Sequence, residues 1–211
     1  MPTDWKRRLP NLLTLARLGL AIAFFVVLSL YRYPSTHPWA IDVAIILFLL
    51  GVVTDAFDGH LARRWNATSV FGRVMDPLCD KILVIGALVM MAGPAFVWID
   101  LAEPLHPRRV LVSGIQPWMV LLVLLRELLV TGLRSLAETQ GVEFSASWSG
   151  KAKMILQSAV VPLVLLLVGH FDPLEHDWSA LVRDVLVWAM VVITVISGAP
   201  YVVRAMPLLK A

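Results

Sequence analysis

Six long apolar stretches, separated by short polar segments, organise the 211-residue chain. Their approximate limits are Leu9–Tyr31, Trp39–His60, Val74–Met91, Pro117–Ala137, Lys151–Gly169 and Leu181–Val203. A helix needs roughly 20 mostly apolar residues to cross the hydrocarbon core of a bilayer, and these stretches approach or exceed that length. They are continuous rather than alternating, which predicts helices and argues against a transmembrane barrel. The expected fold is therefore all-α and polytopic: six transmembrane helices in one domain over residues 1–211. The first stretch is too long for a signal-peptide core and no small-residue cleavage site follows it, so it reads as a retained helix. Ahead of it, residues 1–8, with Trp5 and the run Lys6-Arg7-Arg8, are expected to form a short interfacial segment.

Charge placement orients these helices. Six crossings leave both termini on one side. Near the ends of the stretches, twelve Lys and Arg fall on the side of the termini and four (Arg32, Arg108, Arg109 and Arg183) on the other. That bias predicts cytoplasmic termini in the cell membrane. The longest loop, about residues 92–116, and the acidic loop from Phe171 to Asp177 then lie outside.

Composition agrees: 59% of residues are hydrophobic and 16% charged, against about 25% charged in soluble domains. The mean hydropathy is +0.79. A net charge of +3 fits basic loops beside anionic lipid better than a nucleic-acid partner. The single cysteine, Cys79, excludes an internal disulfide and a Cys-rich metal site.

Against this apolar background, the segment TDAFDGHLARRWN, residues 54–66, is charged. In a helix, Asp55, Asp58, Gly59 and Ala62 share one face: two carboxylates, then two positions with little side chain. Small residues there admit another group close to the backbone. Asp76 and Asp80, four apart, share a face at the start of the third stretch. One unbroken helix from Asp55 to Asp80 would run about 38 Å, longer than a bilayer core. A turn is therefore expected between Asn66 and Gly72, folding the two carboxylate faces together. Pro77 suits the first turn of the helix that follows.

Four converging carboxylates repel one another unless protonated or bridged by cations. Oxygen ligands without a His or Cys cluster favour Mg²⁺, Mn²⁺ or Ca²⁺ over zinc. Two such ions about 3.5–4 Å apart form the usual clamp for phosphoryl transfer. Arg63, just beyond, is suited to a phosphate oxygen.

The pattern Asp55-x₂-Asp58-Gly59-x₂-Ala62-Arg63-x₈-Gly72-x₃-Asp76-x₃-Asp80 matches, without gap or substitution, the signature of the CDP-alcohol phosphatidyltransferases, a family this chain resembles. The resemblance implies a six-helix membrane enzyme, usually a homodimer, that displaces CMP from a CDP-linked lipid by a hydroxyl nucleophile with Mg²⁺ or Mn²⁺. It implies that Asp55, Asp58, Asp76 and Asp80 surround two divalent ions and that Asp80 is the general base. CDP-lipid contacts are implied at Asp55, Gly59, Ala62, Arg63, Ser69 and Gly72. Further motifs resemble the phosphatidylglycerophosphate synthase branch. One is Asn11-x₂-Thr14-x₂-Arg17, assigned to the CDP-lipid. The others are Arg126-Glu127 with Leu133-Arg134, and the stretch from Ser147 to Gln157, in which Met154 replaces the branch's Thr.

Arg126 lies inside an apolar run, LLVLLRELLV, where an isolated Arg is expensive. One reading pairs it with a carboxylate on another helix, since Glu127, one residue on, is expected on a different face. The other groups Arg126, Arg134, Lys151 and Lys153 around an acceptor phosphate, with Arg as a bidentate fork and Lys as a point charge. That cluster suits glycerol 3-phosphate and does nothing for an uncharged alcohol. The expected substrates are therefore CDP-diacylglycerol and glycerol 3-phosphate. Inositol phosphate or phosphatidylglycerol are the alternative acceptors, and a cation transporter is the alternative from another class.

Overall fold

The computed structural model describes residues 4–34, 37–65, 70–100, 108–140 and 148–206; at 4–11, 13, 14, 55–65, 70–80, 100, 138, 148, 149 and 151 only the backbone is described. Six helices follow the six apolar stretches: α1 (Asp4–Ser29), α2 (Pro38–Trp65), α3 (Val70–Met91), α4 (Pro117–Thr139), α5 (Trp148–His170) and α6 (Asp177–Ala205). Helix α1 packs on α2 and α3, α6 packs on α4 and α5, and α2 against α5 joins the two groups. Phe24 and Phe48, with ring centroids 5.6 Å apart, fill the α1–α2 interface. Two glycines permit close approach. A Cβ at Gly86 would lie 2.4 Å from the Phe25 ring, and one at Gly169 would lie 2.5 Å from the Ile41 side chain.

Several expectations need correction. The N-terminal interfacial segment is not a separate element: Asp4–Arg8 continue into α1 without a break. Helix α3 starts at Val70, before Val74, so Pro77 is its eighth residue and lies beyond the first turn. Its missing N–H withdraws the helical donor from the carbonyl of Arg73. Nor is the chain wholly α. A one-turn 3₁₀ helix at Pro94–Phe96 leads into strands β1 (Val97–Asp100) and β2 (Arg108–Leu111). They pair antiparallel, Val97 opposite Leu111 and Asp100 opposite Arg108. The β-branched and aromatic residues of VWID favour a pleated strand, but four residues leave no long periodic signal.

This hairpin sits where three inter-helix connections meet. The backbone N–H of Tyr33 donates to the carbonyl of Ala95 at 2.9 Å, and the Tyr33 and Trp98 rings meet edge-on with centroids 6.0 Å apart. The Tyr33 hydroxyl reaches both carboxylate oxygens of Asp172, at 2.7 and 2.6 Å. On α6, Arg183 donates to the carbonyl of Val112 at 2.9 Å and pairs with Asp184. A Cβ at Gly114, where φ is +70°, would come within 3.2 Å of both residues, so the turn after β2 demands glycine.

The bundle is apolar outside and carries a few charged groups within an otherwise apolar interior. Leu121, Leu125 and Leu128 of α4, and Leu181, Val185 and Ile196 of α6, face outward. Arg17, Glu127, Lys153, Gln157 and Arg183 are buried. Water would reverse both preferences, and a bilayer rewards both. This is the pattern of a membrane protein. Among the described residues, two segments, Ala152–His170 and Asp177–Ala205, are long and apolar enough to cross a membrane.

Candidate active site

The aspartates of the motif belong to two helices joined by four residues. Asp55 and Asp58 stand ten and seven residues before the end of α2, and Asp76 and Asp80 six and ten residues after the start of α3. Each pair thus lies at a similar distance from the connection, about 10–15 Å along the helix axis. Gly59, Ala62 and Arg63 are in α2 and Gly72 in α3, while Asn11 and Thr14 are in α1 and Lys151 in α5. The side chains of these residues and of the four aspartates lie outside the described residues, as does Ser69 altogether. Among the described residues no group of three or more His, Cys, Asp or Glu could hold a metal ion. Arg17 is described: it sits on α1, 2% exposed.

The predicted acceptor residues are better defined. On α4 the inward stripe runs Val120, Val123, Glu127 and Val130, so helical spacing alone places a carboxylate in the bundle interior. On α5 the inward stripe is Lys153, Gln157, Val160, Val161 and Val164. Both helices pack on α6, and Lys153 of α5 forms an ion pair with Glu127 of α4. Arg126 donates from Nη1 to the same Glu127 Oε1, at 3.0 Å. This corrects the expectation that adjacent residues face apart. Their Cβ atoms do diverge, but both side chains are long enough to curl back along the helix. No carboxylate from another helix pairs with Arg126 among the described residues.

The network continues into α6. Arg126 Nη2 donates to the Ser197 hydroxyl at 2.9 Å and to the Ser197 carbonyl at 3.2 Å. Ser197 Oγ donates to the carbonyl of Thr194 at 2.8 Å, and the Thr194 hydroxyl accepts from Gln157 Nε2 at 3.1 Å. Gln157 and Lys153 are one helical turn apart, which closes a polar ring through α4, α5 and α6. Further along, the Arg134 guanidinium lies 5.8 Å from the centroid of the Tyr201 ring and 3.4 Å from its hydroxyl. Arg126 and Arg134 are eight residues apart and have separate partners, so the described contacts do not join them.

A small cavity connects this ring to α3. Lys81, the residue after Asp80, lines it with Glu127, Lys153 and Gln157. Lys81 also bonds Thr131 of α4. Two lysines and one carboxylate, Lys81, Lys153 and Glu127, thus line one small space between α3, α4 and α5.

The model of the CDP-alcohol phosphatidyltransferase family matches residues 7–196. The chain belongs to the CDP-alcohol phosphatidyltransferase family. A phosphatidyltransferase of Cereibacter sphaeroides is 30% identical, over 96% of this chain and 97% of its own length. One from Bacillus subtilis is 33% identical over 92% of each, and one from Salmonella typhimurium is 35% identical over 74% of this chain and 76% of its own. All three are named CDP-diacylglycerol–glycerol-3-phosphate 3-phosphatidyltransferase.

For a member of this family, the contribution of α6 is what sequence reasoning missed. Thr194, Ser197 and Tyr201 share its inward face at helical spacing. Each holds a residue that the acceptor-side motifs contain. The available signal was a run of small and hydroxyl residues in an otherwise apolar helix.

Proposed function

We propose that this phosphatidyltransferase moves the phosphatidyl group of CDP-diacylglycerol to glycerol 3-phosphate, giving phosphatidylglycerophosphate and CMP. The observation that carries the reading is the shared cavity: Lys81, next to Asp80 of the signature, lines the same space as Lys153 and Glu127. The helix bearing half of the aspartate motif therefore adjoins a pocket into which two lysines bring positive charge, a feature that supports an acceptor phosphate.

Asp55, Asp58, Asp76 and Asp80 form an all-oxygen donor set without His or Cys, which fits Mg²⁺ or Mn²⁺. Bound there, two such ions would neutralise charge on the pyrophosphate and on departing CMP. Asp80 accepts the proton of the acceptor hydroxyl. That oxygen forms a bond to the phosphorus nearer the diacylglycerol, and the bond from this phosphorus to the CMP oxygen breaks. Arg17 and Arg63, with Asn11, Thr14, Gly59, Ala62, Ser69 and Gly72, hold the CDP-lipid. Arg126, Arg134, Lys151 and Lys153 hold the acceptor phosphate. Catalysis is then mainly positioning and electrostatic stabilisation. The same reading has six crossings with cytoplasmic termini, an active site facing the cytoplasm, and a homodimer.

The test gives purified protein CDP-diacylglycerol, Mg²⁺ or Mn²⁺, and each acceptor in turn, and measures CMP. Release with glycerol 3-phosphate supports the proposal. Release with inositol phosphate alone overturns the acceptor, and no release with any acceptor overturns the enzyme.

A further inference from the structure

Arg126 is held on two sides, and the side that sequence motifs do not mark is α6. Its Nη1 meets Glu127 on its own helix, while its Nη2 meets both the hydroxyl and the carbonyl of Ser197. Ser197 is 1% exposed, so these contacts form away from water, where geometry is tightly enforced. The hydroxyl is oriented as well as placed. Its proton goes to the carbonyl of Thr194, which leaves its lone pairs for the guanidinium. Gly198 completes the seat: a Cβ there would lie 3.2 Å from Cγ of Arg126. Two donor groups of Arg126 are thereby committed, while its Nε is buried with no partner among the described residues.

We propose that Ser197, seated by Gly198, is a positioning residue of the acceptor site: it fixes the Arg126 guanidinium against Glu127, the carboxylate that lines the cavity with Lys81 and Lys153, and so sets the charged groups that meet the acceptor's phosphate. This rests on the acceptor reading above. Ser197 itself touches neither substrate. Its effect therefore falls on acceptor affinity and leaves the CDP-lipid alone.

Steady-state CMP release by full-length protein in detergent micelles tests this, with each substrate varied in turn. Ser197→Ala should raise KM for glycerol 3-phosphate by about three- to tenfold, the scale of one ordinary hydrogen bond, with KM for CDP-diacylglycerol unchanged. Ser197→Thr keeps the hydroxyl and should restore most of the loss. Gly198→Ala should give the same selective rise by pushing on the Arg126 stem, and it carries the test if Ser197→Ala fails to fold. In an Arg126→Lys background, which removes Nη2, Ser197→Ala should add nothing. An unchanged acceptor KM, a parallel rise in both KM values, or full additivity with Arg126→Lys would overturn the proposal. Wild-type protein inactive with glycerol 3-phosphate would strike the acceptor reading first. The same comparison with whichever phosphorylated acceptor releases CMP then decides Ser197, and no release with any acceptor overturns both.

Discussion

Tyr33, in the first loop, places its hydroxyl between the two carboxylate oxygens of Asp172, at 2.7 and 2.6 Å, across 139 residues of sequence. The bond ties the α1–α2 connection to the α5–α6 connection. Burial, and then the hydrogen bond to Asp172, push the Tyr33 hydroxyl well above its ordinary value of 10.0. Tyr33→Phe should cost about 1–2 kcal/mol of stability, since the acceptor is charged but partly solvated. The raised value favours the protonated phenol in the folded state. Its contribution is therefore complete below pH 10 and lost as pH rises above that through the folded-state value. Thermal unfolding of both proteins at pH 7–9 should show a constant gap that closes only in stronger alkali. A gap that narrows between pH 7 and 9 would refute the assignment.

Glu127 is the shared partner of Arg126 and Lys153 and is 7% exposed. Removing one member of a buried ion network leaves uncompensated charge, at a cost of about 3–5 kcal/mol. Glu127→Ala should therefore lower the unfolding temperature more than Tyr33→Phe does, measured side by side in the same detergent. An unfolding temperature equal to wild type would show that water already screens the group.

Asp80→Asn tests the general base. The amide cannot accept the acceptor's proton, so kcat should fall about 10²- to 10⁴-fold. Binding of the CDP-lipid should change much less, and equilibrium binding of CDP-diacylglycerol checks that arm. Near-normal turnover would remove Asp80 from the role.

Chelation provides the fourth expectation. EDTA should abolish CMP release, and added Mg²⁺ or Mn²⁺ should restore it, whereas Zn²⁺ should restore little to an all-carboxylate set. Retention of full activity in EDTA would contradict the proposed donor set.

The six helices were legible because a continuous apolar run of membrane length is too long for a strand and too apolar for a loop. The hairpin was not, because four-residue strands between prolines carry too short a pattern. At the site, spacing put Asp55 with Asp58 and Asp76 with Asp80 on two neighbouring helices, and the backbone of α2 and α3 runs through both pairs. Spacing misled for Arg126 and Glu127, because face arguments track Cβ directions and neglect the reach of long side chains. Ser197 and Thr194 were invisible on different grounds. A lone hydroxyl within an apolar run looks the same whether it bonds its own helix or a neighbouring one, and only the packing of α6 on α4 and α5 decides.

An apolar exterior around a core that holds a few ionic groups changes what a damaging substitution looks like. Along α4, a lysine at Leu125 and a leucine at Glu127 are opposite chemical changes two residues apart, yet each puts the wrong group on its side of the helix. Tolerance in this protein should follow the azimuth of a residue around its helix rather than its polarity. An alanine scan of α4 scored by unfolding temperature would then rise and fall with a period near 3.6 residues, costly at Val120, Val123, Glu127 and Val130 and mild at Leu121, Leu125 and Leu128.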